Sequence, residues 1–243
     1  MEEHLYKKFY EVENLHWWFS VRQQIVVDMV HRVALTPPGS KVLDVGCGTG
    51  AMLAMFSKEF DAYGTDTSPI AIEYSRQRGL ANAFCCTLEN FPHPEMRFEL
   101  LTMLDVLEHI PDEGAVLRAA HQKLNPRGRI LLTVPAYEYL WSIHDDLNHH
   151  QRRYVRSRLV QVLQANGFTV EFVSYFNTIL FPSAVVGRIA KKVIKPTHDT
   201  TLNIPVSPVN SLLRKIFSIE RRLLRKTSLP FGLSLIAIAR RGN

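Results

Sequence analysis

Closely spaced glycines interrupt the sequence between an apolar run and a helical pattern. Residues 42–45, apolar except for Asp44, lead directly into Gly46, Gly48 and Gly50, and Asp66 follows Gly46 by 20 residues, at the end of a second apolar run. Such glycines let the backbone approach a ligand closely, and the following helix presents its N-terminus to the same ligand. An acid at the end of the next strand is placed to accept hydrogen bonds from ribose hydroxyls. This spacing predicts a site for an adenosine-type cofactor.

The chemistry of that cofactor depends on Asp44. Gly46, Gly48 and Ala51 also satisfy the relaxed dinucleotide fingerprint, so a nicotinamide enzyme stays an alternative. Asp44 lies two residues before the first glycine, where an acid is poorly placed beside a pyrophosphate. It suits the positive amino group of a bound amino acid, which favours a sulfonium cofactor.

A second group of reactive side chains follows two other predicted strands. Histidine has a pKa near neutrality, which makes His109 and His144 candidates for a general base that activates an oxygen nucleophile. Arg152 and Arg153 are candidates for binding an anionic group. The candidate catalytic set is His109, His144, Asp145, His149, Arg152, Arg153 and Tyr154. His144, Asp145, His149 and His150 could also bind a metal, but no spacing of a known metal motif occurs, and we assign no metal ligand.

Alternating strand and helix patterns must position these residues. The sequence predicts two helices within residues 3–33, and Thr36-Pro37-Pro38-Gly39 ends them. It then predicts strands at 41–45, 62–66, 83–86, 98–104, 129–134, 168–174 and 233–239. Helices are predicted at 51–59, 69–78, 112–124 and 155–165, and residues 125–128 are predicted to form a turn. This alternation is typical of an α/β fold with a parallel sheet and right-handed crossovers.

Three segments together resemble a known family. VLDVGCGTG, GTDTS and FELLTMLDVLEHIPD look like the signature segments of class I S-adenosylmethionine (SAM)-dependent methyltransferases, over residues 41–134. The chain is similar in particular to the ubiquinone-biosynthesis type and its bacterial relatives. The resemblance implies a Rossmann-like, doubly wound seven-stranded sheet with an antiparallel last strand.

The resemblance also implies a cofactor, SAM, with S-adenosylhomocysteine as its product. Glycines 46 and 48 would approach the methionine part, Asp44 its ammonium group and Asp66 the ribose, while Arg22 would hold the carboxylate. The implied cofactor-binding set is Trp18, Arg22, Asp44, Gly46, Cys47, Gly48, Asp66, Thr67, Thr87, Leu88, Leu104 and Asp105. Many relatives have an Asp after the third strand, where this chain has Thr87 and Leu88.

The predicted organisation is an N-terminal helical cap at 1–35 and a methyltransferase domain at 36–243, with a helical insertion at 175–231. Within the insertion, Leu212, Ile216, Ile219 and Leu223, with Leu213, Phe217 and Leu224 beside them, are predicted to form one apolar stripe with arginines largely opposite. Apolar residues next to lysines and arginines indicate either packing on the domain or peripheral contact with an anionic membrane through 172–195 or 211–226.

Composition narrows the class of protein. The chain has 243 residues, 46% of them hydrophobic and 21% charged, and a net charge of +6, which is an ordinary globular composition. Three cysteines cannot all pair internally, and the first residues lack the apolar core of a signal peptide, so we expect a cytoplasmic protein. We expect O-methylation of a small or lipid-like acceptor, and Arg152 and Arg153 would suit an anionic one. An RNA methyltransferase, with salt-dependent RNA binding, and a non-catalytic SAM-binding protein are the alternatives.

Overall fold

The computed structural model describes residues 3–34, 36–194 and 203–242. One sheet of seven strands organises them, in the order β3-β2-β1-β4-β5-β7-β6. The strands are β1 Lys41–Val45, β2 Asp61–Asp66, β3 Ala83–Cys85, β4 Phe98–Leu104, β5 Leu124–Pro135, β6 Phe168–Phe176 and β7 Ser234–Arg241. β1 to β5 run parallel, and β7 runs antiparallel to both β5 and β6. The predicted Rossmann-like sheet with an antiparallel last strand is confirmed.

Helices cover both faces of the sheet. They are α1 Glu3–Val12, α2 Trp17–Met29, α3 Ala51–Phe56, α4 Pro69–Gln77, α5 Glu113–Lys123, α6 Ile143–Leu147, α7 Arg156–Ala165, α8 Phe181–Ile194 and α9 Ser207–Leu224. The apolar side chains of the central strands alternate between two buried clusters, one on each face. Val21 and Ile25 of α2 are buried in the same cluster as Val42 of β1, so the N-terminal helices share the core of the sheet. The domain boundaries themselves stay a prediction.

The predicted turn at residues 125–128 is wrong in one respect. β5 already begins at Leu124, which pairs with Phe98, and the register shifts before Leu100 pairs with Arg129. Arg127 has a φ of 67°, a left-handed conformation typical of bulges and turns. The segment is therefore an irregularity within the ladder.

α8 and α9 form the predicted helical insertion between β6 and β7. The predicted single apolar stripe of α9 is wrong, because the helix has two apolar faces. Phe217 and Leu224 are buried, whereas Leu212, Ile219 and Leu223 are 57%, 51% and 41% exposed.

Ion pairs with α2 set the rotation of α9. The guanidinium groups of Arg221 and Arg225 both donate hydrogen bonds to the carboxylate of Asp28 in α2. Burial acts to raise the pKa of Asp28, but these two hydrogen bonds outweigh it and lower the pKa. The arginines therefore face the protein, and the second apolar face of α9 points to solvent.

Candidate active site

The glycine loop connects β1 to α3 at the carboxyl edge of the sheet. Gly46 and Gly48 have φ values of +70° and +56°, which side chains other than glycine rarely adopt. A Cβ at Gly46 would clash with Cγ2 of Val106, so the turn after β4 packs tightly on the loop there. A Cβ at Gly48 would meet nothing within 4 Å. The backbone at Gly48 therefore borders open space, as a cofactor site requires.

Two acids flank this loop. Asp44 is buried and accepts a 2.6 Å hydrogen bond from the Thr102 hydroxyl. Burial raises the pKa of Asp44 to about 7, although Thr102 and the charge of Arg22 both act to lower it. Asp66 accepts backbone hydrogen bonds of 2.9 Å from Gly48 and Ser68, and burial raises its pKa too. Both carboxyl groups are more costly to ionise than surface acids.

Arg22 of α2 reaches the same edge. Its guanidinium donates to Asp105 at 2.6 Å and to Thr133 at 2.9 Å, and its Nε is buried without a hydrogen-bond partner. The guanidinium carbon lies 5.3 Å from the ring centroid of Trp18. The structure thus brings Trp18, Arg22, Asp44 and Asp105 to one place, and Arg22 keeps a donor free for a ligand.

Other residues of the implied cofactor set differ in what they offer. Thr67 and Thr87 are exposed after β2 and β3, and Leu104 is half-buried at the end of β4. The side chain of Leu88, by contrast, is buried in the core. The Cys47 thiol is buried too, and burial raises its pKa well above the ordinary value. For Leu88 and Cys47, only the backbone can contact a cofactor in this arrangement.

The turn after β4 contains a carboxylate that the sequence analysis did not select. Glu108 is fully buried, and neither of its side-chain oxygens has a hydrogen-bond partner. Burial, and then the charge of Asp105, raise its pKa well above the ordinary value. The neighbouring His109 ring lies 4.6 Å from the ring of His150. The sequence signal was present, since Glu108 precedes His109 in the third signature segment.

Asp145 and Arg153 form a buried ion pair. Both oxygens of Asp145 accept from Arg153, at 2.8 and 2.9 Å, and Oδ1 also lies 2.9 Å from Nδ1 of His150. A third nitrogen of Arg153 donates to the carbonyl of Ala136 at 2.9 Å. These interactions outweigh burial and lower the pKa of Asp145. The arrangement does not support the prediction that Asp145 belongs to the catalytic set or that Arg153 binds a substrate anion, because the two side chains bind each other.

Arg152 and Tyr154 are also engaged. The two terminal nitrogens of Arg152 donate to the carbonyls of Ile110 and Pro111, at 2.9 and 2.8 Å. The buried Tyr154 hydroxyl donates to Glu113 at 2.7 Å, and burial raises its pKa. Their predicted roles in binding an anion or in catalysis gain no support from this placement.

The candidate bases lie in different environments. Burial lowers the pKa of His109 to about 4, so it is neutral at pH 7 and a weak base. The His144 ring lies 6.3 Å from that of His150, and His149 is exposed with a φ of 56°. The structure thus brings His109, His150 and His144 together and leaves His149 at the surface.

An aromatic cluster was also missed by the sequence analysis. Tyr137, after β5, stacks on Tyr175 of β6 with ring centroids 5.2 Å apart, and Phe181 lies 5.8 Å from Tyr137. Phe231 extends the cluster at 5.5 Å from Phe181. Tyr137 has a φ of 59°, a strained backbone of the kind that concentrates at functional sites. The residues lie far apart in sequence, so only the tertiary fold reveals the cluster.

Comparison with known proteins places this site in a family. Residues 8–173 match the methyltransferase domain family. A ubiquinone biosynthesis O-methyltransferase from Pseudomonas aeruginosa (strain UCBPP-PA14) is 28% identical over 137 residues, which are 49% of this chain and 59% of that protein. The match thus spans less than two thirds of the relative's length. No helix within residues 3–34, 36–194 and 203–242 is both long and apolar enough to cross a membrane.

Solved structures share the fold. A TehB-like SAM-dependent methyltransferase from Corynebacterium glutamicum superposes with a TM-score of 0.53 and 19% identity, over 91% of this chain and 87% of that one. The cyclase SpnF superposes with a TM-score of 0.59 and 18% identity, over 90% and 81% of the two chains. With the family match covering more than half of the sequence, the chain belongs to the class I SAM-dependent methyltransferases.

Proposed function

We propose that this protein transfers the methyl group of SAM to a hydroxyl oxygen of a small, lipid-like acceptor. The observation that carries the proposal is the open face of Gly48 between the buried acid Asp44 and Asp66. Gly46 and Gly48 would receive the methionine part of SAM, Asp44 its ammonium group, Asp66 the ribose and the free donor of Arg22 the carboxylate. When bound, SAM supplies a methyl group on a positively charged sulfur, which is an activated leaving group.

The chain's own contribution is alignment, since an in-line displacement depends chiefly on positioning. The acceptor side would be the aromatic cluster of Tyr137, Tyr175, Phe181 and Phe231. Aromatic faces bind flat or apolar molecules well. The O-methyltransferase activity named for the Pseudomonas aeruginosa relative supports oxygen as the acceptor atom. Arg152 and Arg153 are already paired, which favours a neutral acceptor over an anionic one.

A pair of glycine substitutions tests the cofactor site. Gly48 and Gly39 both have positive φ values, and a Cβ at either would meet nothing within 4 Å. Gly48→Ala and Gly39→Ala should therefore cost similar stability, about 1 kcal/mol. Calorimetry should show that Gly48→Ala alone loses at least about tenfold in affinity for S-adenosylhomocysteine, since only its methyl group enters the cofactor space. Equal affinities in the two variants would count against this site.

Turnover tests the chemistry. Incubation with labelled SAM and a series of alkyl phenols should transfer label to oxygen, and Tyr137→Ala should raise KM more than it lowers kcat. Cofactor binding without transfer to any phenol, amine or thiol would favour the non-catalytic alternative.

We further propose that the exposed apolar face of α9 contacts an anionic membrane. Val209, Leu212, Ile219 and Leu223 recur along one exposed side of the helix. Lys215 and Arg222 are exposed beside this row, and Lys226 follows the helix end. Interfacial helices combine apolar burial with electrostatic attraction to anionic lipid in this way. Arg214, Arg221 and Arg225 instead bind the protein itself, so they add little to an RNA surface. Of the predicted segment 172–195, Lys195 lies outside the described residues.

Vesicle sedimentation tests this surface. The protein should pellet with vesicles of phosphatidylcholine containing phosphatidylglycerol and less with phosphatidylcholine alone, and added salt should weaken the association. Ile219→Ser combined with Leu223→Ser should abolish it, whereas Val155→Ser, at an exposed apolar position just before α7, should not. Equal pelleting of both variants would refute the proposal.

A further inference from the structure

Three potential metal ligands converge where β4 ends. Glu108, His109 and His150 each offer one ligand atom, and these atoms lie within 4.8 Å of one another. Within residues 3–34, 36–194 and 203–242, no other group of three His, Cys, Asp or Glu side chains brings its ligand atoms this close together. It differs from the set His144, Asp145, His149 and His150 that the sequence analysis weighed, because the tertiary fold brings Glu108 and His109 to His150.

The state of Glu108 points to a missing ligand. A fully buried carboxylate normally has its oxygens satisfied, because an unpaired buried charge is very costly. Both oxygens of Glu108 lack a hydrogen-bond partner, although Arg22 and Arg153 bring positive charge to the neighbourhood. Arg22 is committed to Asp105, and Arg153 to Asp145. Neither arginine satisfies Glu108.

A second group orients His150. Nδ1 of His150 lies 2.9 Å from Oδ1 of Asp145, which leaves Nε2 available. The backbone of Asn148 lies beside the ring of His109. Metal-binding histidines typically donate one N–H to a carboxylate or carbonyl, which fixes the tautomer and leaves the other nitrogen to bind the ion. Asp145 is itself held by Arg153, so the orientation of His150 is rigid.

We infer that Glu108, His109 and His150 bind a divalent cation. Two imidazoles and one carboxylate suit Zn²⁺ and related first-row ions, and three protein ligands leave a coordination position open. The ion would stabilise the ionised form of Glu108, whose two oxygens have no other partner among the described residues. Binding of the ion does not depend on the proposed function, whereas its role does: with an acceptor hydroxyl in the open position, the ion would lower the hydroxyl pKa, and the proton would pass to water.

Calorimetric titration of the full chain with Zn²⁺, after treatment with a chelator, tests the inference. The wild type should bind one Zn²⁺. Glu108→Gln, which keeps the shape and removes the charge, should weaken binding at least tenfold. His149→Asn is the matched control: it removes an exposed histidine next to His150 and keeps a residue that tolerates the left-handed backbone. It should bind Zn²⁺ as the wild type does.

Thermal unfolding supplies a second measurement. Zn²⁺ should raise the Tm of the wild type and of His149→Asn but not that of Glu108→Gln, whereas without metal Glu108→Gln should be at least as stable as the wild type. Zn²⁺ bound equally by wild type and Glu108→Gln would show adventitious surface binding and overturn the inference, as would no binding at all. Titration of S-adenosylhomocysteine into the same samples tests the cofactor site separately from the metal site. If it binds while Zn²⁺ does not, only the metal site fails.

Discussion

Asp44→Asn should make the ligand-free protein more stable while weakening its hold on the cofactor. Burial raises the pKa of Asp44 to about 7, from an ordinary 3.8. The folded protein therefore keeps the proton up to about pH 7, whereas the unfolded chain loses it near pH 4. Between these values the unfolded state binds fewer protons, so this group makes stability fall as pH rises. About 3 units at 1.36 kcal/mol each give a penalty of about 4 kcal/mol above pH 7.

Asparagine removes this penalty and can still accept the hydrogen bond of Thr102 through its carbonyl oxygen. We therefore expect the free energy of unfolding of Asp44→Asn to exceed that of the wild type by up to about 4 kcal/mol at pH 8 and by about 1.6 kcal/mol at pH 5, and the gap to close below about pH 4. Urea denaturation at several pH values measures it. Asp61→Asn, at the opposite end of the neighbouring strand, is the control.

The affinity of Asp44→Asn for the cofactor should fall, although its stability rises. An ammonium group binds the ionised carboxylate, so below pH 7 the wild type must release a proton to bind, and affinity should fall about tenfold per pH unit. Asp44→Asn should bind S-adenosylhomocysteine weakly and without this pH dependence. A variant that is equally destabilised at pH 5 and pH 8, and that binds as tightly as the wild type, would refute the reasoning.

Two further substitutions probe the supports of the site. Arg153→Met leaves Asp145 buried without its partner and should destabilise the fold by about 3–5 kcal/mol in urea denaturation, while Arg153→Met with Asp145→Leu should recover part of the loss. Asp28→Asn should lower stability at pH 7, because it weakens the attachment of α9 to α2. Since the pKa of Asp28 is lowered by folding, the wild type should lose this advantage as pH falls below about 4, and the unfolding curves of wild type and variant should then converge.

Local patterns were enough to predict the scaffold. The glycine loop, its flanking acids and the run of strands depend on residues close in sequence, and the structure has β4 at the predicted bounds, Phe98–Leu104. The arrangement of α9 could not be predicted in this way, because its rotation is set by ion pairs with Asp28, which lies more than 190 residues away in sequence. From hydrophobic spacing alone, Phe217 and Ile219 were predicted to lie on one apolar stripe, although the first is buried and the second is exposed.

Local sequence patterns also could not show which residues of the candidate site pair with one another. Histidines, acids and arginines between 144 and 154 were recognised as unusual, but sequence does not reveal which of them neutralise one another. Arg153 and Asp145 pair because the chain turns back after α6. The pairing indicates that both residues stabilise the site and do not contact the substrate. Glu108 was overlooked for the complementary reason: its significance lies in what it lacks, namely a partner for either oxygen, and only three-dimensional contacts show that.

The balance of charge at the carboxyl edge of the sheet unites these observations. Asp44, Asp66, Asp105 and Glu108 all lie at strand ends there, and Arg22 is the cation that pairs directly with one of them. Two of these acids raise the cost of ionising a neighbour: Asp66 raises the pKa of Asp44, and Asp105 raises that of Glu108. An edge with this excess of acid is built for positive ligands. A cofactor with a sulfonium and an ammonium group would relieve the repulsion at the β1 and β2 ends, and a divalent ion would relieve it at the β4 end, so the two ligands should stabilise the fold additively.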